Sequence, residues 1–229
     1  MDRYIRQIPV IGERGQERLI DSSVLIVGAG GLGSVVLTYL ASAGVGRIGI
    51  VDGDIVEEHN LQRQFVHAGK IGKNKAISAM DFVERLNPNV EVEAYPFNVN
   101  EKNVKVAKHY DVVALCPDNF EVRLILNDFC IENGIPFVHG AVYGFEGEVT
   151  TVIGSPCYRC LYLKFPKQKN STPIMGFTCG VTGSIQSAEV IKVILDMEVL
   201  KGRLLRFDLR SMDFFEVKYD RDSRCICKK

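Results

Sequence analysis

A glycine-rich turn between an apolar run and an uncharged segment constrains the fold of this chain most. Residues 23–27 lead into Gly28, Gly30 and Gly33 in the pattern G-x-G-x-x-G, and the next apolar run ends at Asp52. Such glycines allow a tight turn, a close approach of backbone N–H groups to phosphates and packing of a helix on a sheet. The acidic residue is placed to bind ribose hydroxyls. The pattern predicts a nucleotide site.

The order of apolar segments predicts an α/β protein. Strand-like and helix-like segments alternate as far as residue 140, which is typical of a doubly wound, Rossmann-like, mainly parallel sheet. From residue 141 onward we expect antiparallel strands that extend this sheet at its C-terminal part. The length of 229 residues fits one domain, 1–229, with a nucleotide-binding core at about 22–140 and a second part at about 141–229.

The charge balance excludes several classes of partner. Lys and Arg together number 28, as do Asp and Glu, so no net field gathers nucleic acid or an anionic membrane. The uncharged stretch 24–46 is rich in glycine and changes from a strand-like to a helix-like half, which favours a buried strand and helix over a membrane span. The charged start of the chain lacks the apolar core of a signal peptide, and we expect a cytoplasmic protein.

Polar and cationic side chains follow the predicted strand ends. Asn60 and Arg63 lie in a long loop after Asp52, Lys75 begins a predicted helix, and Asp118 follows a buried strand. Because carboxyl ends of parallel strands meet at one crevice, these groups are expected to converge there. Cations with one carboxylate suit a magnesium-bound triphosphate. Taken singly, Lys75 reads as a solvated helix lysine, and the glycine turn alone reads as an ordinary NAD- or FAD-binding domain.

The cysteines indicate a metal site. Cys157 and Cys160 have C-x-x-C spacing within a predicted turn, and the tail offers Cys225 and Cys227. A thioredoxin-like redox pair normally opens a helix, a context that the sequence does not predict here. Four thiolates suit a closed structural zinc site, which we favour over a degenerate, metal-free pairing. Cys179 reads as a small buried core thiol.

Six blocks in order carry a family resemblance: RYIRQ at 3–7, GAGGLG at 28–33, NLQRQ at 60–64, IGKNKA at 71–76, DN at 118–119 followed by Arg123, and CYRC at 157–160. The chain resembles, over nearly its whole length, the family of the molybdopterin-synthase adenylyltransferase and the thiamine-biosynthesis sulfur-carrier adenylyltransferase. These are the bacterial relatives of ubiquitin-activating enzymes. The resemblance implies that ATP and the C-terminal glycine carboxylate of a small ubiquitin-like carrier give an acyl-adenylate and pyrophosphate.

The resemblance also implies roles for individual residues. Asp52 would hold the ribose, Asp118 would ligate Mg²⁺ with Asp54 as a second ligand, and Arg6 would reach into the neighbouring subunit's site in a homodimer. The phosphates would be bound by Asn60, Arg63 and Lys75. The remaining nucleotide-binding positions are Gly28, Gly30, Gly31, Gly33, Gln64 and Asn119. Arg6, Arg63, Lys75 and Asp118 are the expected catalytic residues.

The implied partners are a sulfur-carrier protein ending in Gly-Gly and a separate sulfur donor, because no sulfurtransferase domain fits after residue 229. The carrier's tail should pass beneath residues 164–173 and bind the C-terminal part, which also bears the zinc. Some relatives have a reactive cysteine in that segment, which this chain lacks, and we expect adenylation without an obligatory enzyme thioester. Relatives carry C-x-x-C in the tail, whereas Cys225 and Cys227 are one residue closer, which leaves the fourth zinc ligand open.

Two alternatives from other classes remain. An NAD-dependent oxidoreductase needs only the segment from Gly28 to Asp52, and leaves Arg63, Lys75 and the cysteine pairs without a role. A non-catalytic module that binds a ubiquitin-like partner would keep the fold without ATP turnover. A further branch of the family activates a small-molecule or tRNA-linked carboxylate, and the cysteine pairs disfavour it.

Overall fold

A computed structural model describes residues 2–162 and 173–227, in which one continuous eight-stranded sheet forms the centre. The strands are β1 (Ser23–Val27), β2 (Arg47–Val51), β3 (Glu91–Tyr95), β4 (Val112–Leu115), β5 (Phe137–Tyr143), β6 (Glu146–Val152), β7 (Arg203–Asp208) and β8 (Asp213–Lys218). The α-helices are α1 (Ile8–Ile20), α2 (Gly31–Ala43), α3 (Lys75–Leu86), α4 (Phe120–Asn133), α5 (Tyr158–Leu161) and α6 (Gly176–Ile194).

The strand order β3-β2-β1-β4-β5-β6-β7-β8 confirms the predicted fold class. Strands β1 to β5 pair in parallel, and β6, β7 and β8 continue the sheet in antiparallel pairs. After β1 the chain builds outward through β2 and β3, and then crosses to β4 on the other side of β1. Such a reversal opens a crevice at the carboxyl ends of the two central strands, where α/β proteins bind ligands.

Both faces of the sheet are covered, as a buried parallel sheet requires. Val24 and Ile26 of β1 belong to an apolar core that includes side chains of α2, α3 and α6. Leu25 and Val27 point to the opposite face and join a second core with Leu126 of α4. Alternate residues of one strand therefore serve two layers, which explains why this strand reads as a continuous apolar run. Among the described residues, no helix combines the length and hydropathy needed to cross a bilayer.

Two details differ from the sequence expectation. The C-x-x-C segment forms the single helical turn α5 with Cys157 as its N-cap, instead of a non-helical turn. The sequence pattern predicts a helix from about Val181 to Leu195, but α6 begins at Gly176, five residues earlier. Gly176 lies against the backbone of the 60–64 loop, where an added Cβ would be 2.6 Å from the Gln62 carbonyl oxygen, so close packing explains this glycine. The expected carrier path at 164–173 falls almost entirely outside the described residues.

Candidate nucleotide and metal sites

The turn between β1 and α2 is built by two glycines that admit no side chain. Gly28 has a φ of 94°, and a Cβ there would lie 2.9 Å from the carbonyl oxygen of Cys116 at the end of β4. A Cβ on Gly33 would lie only 1.9 Å from the Gly28 carbonyl oxygen. The missing side chain at Gly33 therefore lets α2 pack against the Gly28 carbonyl, and the missing side chain at Gly28 lets the turn approach the end of β4. Any larger residue at position 33 would push the helix away from the turn.

Asp52, at the end of β2, binds the turn directly. Its Oδ2 accepts a hydrogen bond from the Ala29 N–H at 2.7 Å, and its Oδ1 accepts one from the Asp54 N–H at 2.9 Å. Burial raises the pKa of this carboxyl group, while the two backbone hydrogen bonds and the charge of Lys75 oppose the shift. The carboxylate thus joins the glycine turn to the loop that carries the predicted phosphate ligands.

A cavity of about 510 Å³ opens at the carboxyl ends of β1 and β4. It brings together most of the predicted nucleotide-binding residues, namely Gly28, Gly30, Gly31, Asp52, Asp54, Asn60, Arg63, Gln64, Lys75 and Asp118. Three predicted residues do not line it. Gly33 lies behind the turn, Asn119 lines a neighbouring cavity, and Arg6 is exposed on the N-terminal segment.

The cationic wall of this cavity comes from the loop after β2 and the first turn of α3. The Lys75 side chain is 9% exposed, and its Nζ lies 2.9 Å from Asp54 Oδ2. Arg63 donates from Nη1 to the His59 carbonyl oxygen at 3.2 Å. Gln64 is buried, and its Oε1 has no hydrogen-bond partner among the residues that the structure describes. A buried cation and an unsatisfied amide beside open space suit a polar ligand.

The opposite wall is the turn after β4, which carries Asp118. Asp118 itself is exposed, and Asn119 caps α4 by accepting the Val122 N–H at 2.9 Å. The buried Arg123 donates from Nε and Nη2 to the Pro117 carbonyl oxygen, at 3.1 and 2.7 Å. The sequence places Arg123 in a family motif but gives it no role. The one feature that could have indicated a role is a charged residue in the first turn of a helix that must cover the sheet.

A second cavity of about 450 Å³ adjoins the first and shares Gly28, Asp52 and Asp118 with it. Its lining includes the apolar side chains of Val99, Val122 and Ile125 and the side-chain amides of Asn98, Asn100 and Asn119. The first cavity therefore has the cations Arg63 and Lys75 in its lining, the second has apolar side chains and amides, and the Asp52 carboxylate lines both. The sequence does not predict this second cavity, because its lining comes from four separate segments.

His67 supports the glycine turn through two contacts of its ring nitrogens. Its Nε2 lies 2.8 Å from the Ala29 carbonyl oxygen and its Nδ1 lies 2.9 Å from the Ser78 hydroxyl. A carbonyl oxygen only accepts, so Nε2 carries the proton and Nδ1 of the neutral ring accepts from Ser78. Burial lowers the pKa of His67, with a smaller contribution in the same direction from the charge of Lys75.

Cys179, near the start of α6, is fully buried behind the glycine turn. Its Sγ would lie 2.6 Å from a Cβ on Gly31, and burial raises its pKa to about 11 even though the charge of Arg63 opposes the shift. A protonated, enclosed thiol is a poor nucleophile. Its geometry agrees with the expected core role, and it also explains why residue 31 has no side chain.

The four predicted metal ligands come together. Cys157 Sγ lies 3.4 Å from Cys225 Sγ and 4.0 Å from Cys160 Sγ, while Cys160 Sγ lies 3.5 Å from Cys227 Sγ. All four sulfur atoms lie within 4.8 Å of one another. Tetrahedral zinc with Zn–S bonds of about 2.3 Å places sulfur atoms about 3.8 Å apart. The shortened C-x-C pair therefore reaches the geometry of a four-thiolate site.

Comparison with known proteins identifies relatives over the whole chain. The model of the ThiF family matches residues 2–228. The SAMP-activating enzyme E1 of Haloferax volcanii is 45% identical, with 99% of this chain and 88% of the relative covered. The sulfur carrier protein adenylyltransferase of Thermus thermophilus is 41% identical, with coverages of 99% and 90%. The adenylyltransferase and sulfurtransferase MOCS3 of Mus musculus is 42% identical, but the match covers only 47% of its length.

Solved structures share the fold. The crystal structure of Escherichia coli MccB with ATP superimposes with a TM-score of 0.88 over 99% of this chain and 74% of that one. The sequence identity is 20%, so this likeness concerns the fold alone. The continuation of a parallel sheet by antiparallel strands is thus an arrangement found in a solved protein.

The neutral His67 ring makes the stability of the protein depend on pH. Its folded-state pKa lies below the ordinary value, so its contribution is complete above about pH 6.5 and is lost as the pH falls through the folded-state pKa. We expect urea unfolding from pH 7.5 to 5 to show a smaller loss of unfolding free energy for His67→Gln than for the wild type. The slopes of unfolding free energy against pH should differ between the two proteins by at most about 1.4 kcal/mol per pH unit, which corresponds to about one proton bound on unfolding.

The exposed His109 provides the matched control, since His109→Gln should leave the pH dependence at the wild-type slope. Equal slopes for the wild type and His67→Gln would contradict the neutral, carbonyl-bound ring.

Proposed function

The chain belongs to the ThiF family, and on this premise we propose that it adenylates the C-terminal glycine carboxylate of a small ubiquitin-like sulfur-carrier protein. The convergence of Arg63, Lys75 and Asp118 on the cavity beside the glycine turn carries this proposal. The names of the Haloferax and Thermus relatives, an E1 and an adenylyltransferase, support it.

Each of the two adjoining cavities suits a different part of ATP. The apolar cavity with Val99, Val122 and Ile125 suits adenine, whose ring edge requires the amide partners that stand there. Asp52, at the junction, suits the ribose hydroxyls. The cationic cavity then receives the triphosphate, with Arg63 and Lys75 neutralising its charge.

The proposed reaction is an in-line displacement. A carboxylate oxygen of the carrier's last glycine attacks the α-phosphorus, the bond to the bridging oxygen breaks, and pyrophosphate leaves with the bonding electrons. Such a reaction needs positioning and charge neutralisation more than a protein nucleophile. Val142 and Ile174 form an apolar part of the cavity lining, beside which a side-chain-free glycine tail fits.

Magnesium is proposed to bind at Asp118. This carboxylate is exposed at the cavity wall, whereas the Asp54 carboxylate, the proposed second ligand, is paired through its Oδ2 with Lys75. Hard cations prefer such oxygen ligands. When bound, Mg²⁺ supplies charge neutralisation for the phosphates.

An NAD-dependent oxidoreductase explains fewer of the observations. It would use the glycine turn and Asp52 but would leave Arg63, the buried Lys75 and the four clustered cysteines without a role. The family match and the relatives named above support adenylation instead. The pathway that the carrier serves, molybdopterin, thiamine or another, is not fixed by any residue of the site. A separate sulfur donor remains part of the proposal.

A homodimer completes the proposed site. Arg6 does not line the cavity of its own chain, and large apolar side chains are exposed beside the loop that carries the phosphate ligands: Ile55, Phe65, Ile71 and Ile77. Exposed apolar clusters of this kind favour a protein interface. We infer that the partner subunit supplies its own copy of Arg6 to this cavity.

Zinc is the metal proposed for the four cysteines. The sulfur separations fit a tetrahedral thiolate site, and its role is structural because four protein ligands leave no open position. Such a site fixes the C-terminal tail to α5, on the face of the sheet that carries α4. Localisation in the cytoplasm, where thiols stay reduced, agrees with seven free cysteines.

Lys75→Gln should lower carrier-dependent ATP–pyrophosphate exchange by about 10²-fold or more, because a buried cation facing the phosphates is lost. Lys73→Gln is the matched control, since Lys73 is exposed and pairs with Asp81 on the surface. Its exchange rate should stay close to that of the wild type. The proposed function is wrong if no carrier ending in Gly-Gly supports exchange while NADH binds tightly.

Mixing Arg6→Ala with Lys75→Gln tests the shared site. If Arg6 acts in the partner's cavity, half of the randomly formed dimers are mixed, and each has one intact site, which restores about a quarter of wild-type exchange. If Arg6 acts within its own chain, the mixture stays inactive. Exchange is measured after subunits have re-equilibrated, with each variant alone as the baseline.

Zinc content tests the cysteine site independently of activity. Purified protein should hold one zinc per chain by elemental analysis, and Cys157→Ala should lose it together with several degrees of melting temperature. Cys130→Ala removes an equally buried thiol that lies outside the cluster, and it should retain the metal. A wild-type protein that fails to bind zinc under reducing conditions would show that the four thiols serve another purpose.

A further inference from the structure

The cysteine knuckle, defined here as residues 157–160 with Cys225 and Cys227, contacts α4 through the two residues between its first ligands. The Tyr158 N–H donates to Asn127 Oδ1 at 2.9 Å. Arg159 donates from Nε and Nη2 to the two carboxylate oxygens of Asp128, both at 2.6 Å. A bidentate charge-assisted pair fixes orientation as well as distance. The knuckle is therefore held to α4 at two consecutive positions.

The same helix begins at the turn that carries Asp118. Asn119 is its N-cap, and Arg123 lies one turn before Asn127 on the same face. Arg123 donates twice to the Pro117 carbonyl oxygen, so that the residue before Asp118 is fixed by the helix that follows it. At a rise of about 1.5 Å per residue, Asn127 lies only about 12 Å along the helix from the cap.

The space between the knuckle and this turn is closely packed. The Tyr158 ring lies 4.7 Å from the His139 ring, measured between centroids, and both side chains are buried. Arg123 Nη2 approaches the carbonyl oxygen of Gly140, the residue after His139, at 3.5 Å. Burial raises the pKa of the Tyr158 hydroxyl, and the nearby charge of Arg123 opposes that shift. Close-packed interiors transmit displacement from one side to the other.

We infer that the cysteine knuckle positions the Asp118 turn through α4, with Asn127, Asp128 and Arg159 as positioning residues for the reaction. Asn127 accepts the Tyr158 N–H and Asp128 accepts from Arg159, and these two contacts join the knuckle to the helix whose N-cap follows Asp118. This inference rests on the proposed function, since it concerns the carboxylate proposed to bind the metal–nucleotide complex. It gives the metal site a role in addition to holding the chain's tail.

Asp128→Asn is the test variant, because it weakens the contact with Arg159 without changing side-chain size. Asp222→Asn is the matched control: Asp222 pairs with Arg224 beside the same knuckle, and that ion pair does not involve α4. Three quantities are measured on zinc-loaded full-length protein. They are zinc content, amide hydrogen exchange at residues 117–123, and kcat for ATP–pyrophosphate exchange; the KM for the carrier comes from the same kinetic data.

Asp128→Asn should retain its zinc, while amide exchange at 117–123 becomes about tenfold faster and kcat falls about fivefold to tenfold. The KM for the carrier should stay unchanged, because α4 lies outside the C-terminal part, about 141–229, that is expected to bind the carrier. Asp222→Asn should match the wild type in all three quantities. Zinc removal from the wild type by a chelator should raise amide exchange at 117–123 in the same way.

The inference is overturned if Asp128→Asn shows wild-type kcat and wild-type amide exchange at 117–123, or if both aspartate variants change equally. Failure of the proposed function has a different signature. In that case the wild type itself catalyses no exchange, while the amide exchange of Asp128→Asn still reports whether the knuckle and the turn are coupled.

Discussion

The hydrogen bond from the Ala29 N–H to the Asp52 carboxylate joins the two halves of the nucleotide site. It links the turn after β1 to the end of β2, and the second oxygen of the same carboxylate holds the N–H of Asp54, next to Lys75. His67 holds the Ala29 carbonyl from the opposite side. A turn fixed at both its N–H and its carbonyl presents the remaining backbone to a ligand in one orientation, as preorganised binding requires.

The residues that the sequence predicted best are those whose role depends on local geometry. Gly28 and Gly33 lie at positions where a Cβ would strike backbone atoms, and their spacing alone carries that information. Asp52 follows from the end of the next apolar run. Lys75 was predicted from its joint placement with Asn60, Arg63 and Asp118 and from the family resemblance, but its burial against Asp54 could not be read from a helix start that looks solvated.

The residues that sequence reasoning missed depend on contacts between distant segments. The role of Arg123 depends on the hydrogen bond that its guanidinium donates to the Pro117 carbonyl oxygen. The second cavity depends on contacts among residues 97–100, 117–122 and Ile125. The cysteine knuckle also depends on contacts between distant segments. Its C-x-C spacing left the fourth zinc ligand open, and only the path of the tail shows that Cys227 Sγ lies 3.5 Å from Cys160 Sγ. The predicted start of α6 was wrong because Gly176 is required for close packing, although glycine normally argues against a helix.

We conclude that the fixed turn and the cationic cavity beside it activate a carboxylate with ATP. Mass spectrometry of a carrier ending in Gly-Gly, after incubation with the protein, ATP and Mg²⁺, tests this conclusion. We expect a carrier that has gained AMP at its last glycine, and no adduct on a carrier that lacks this residue. ATP binding without an adduct on any carrier of this kind, in the presence of pyrophosphatase, would contradict it.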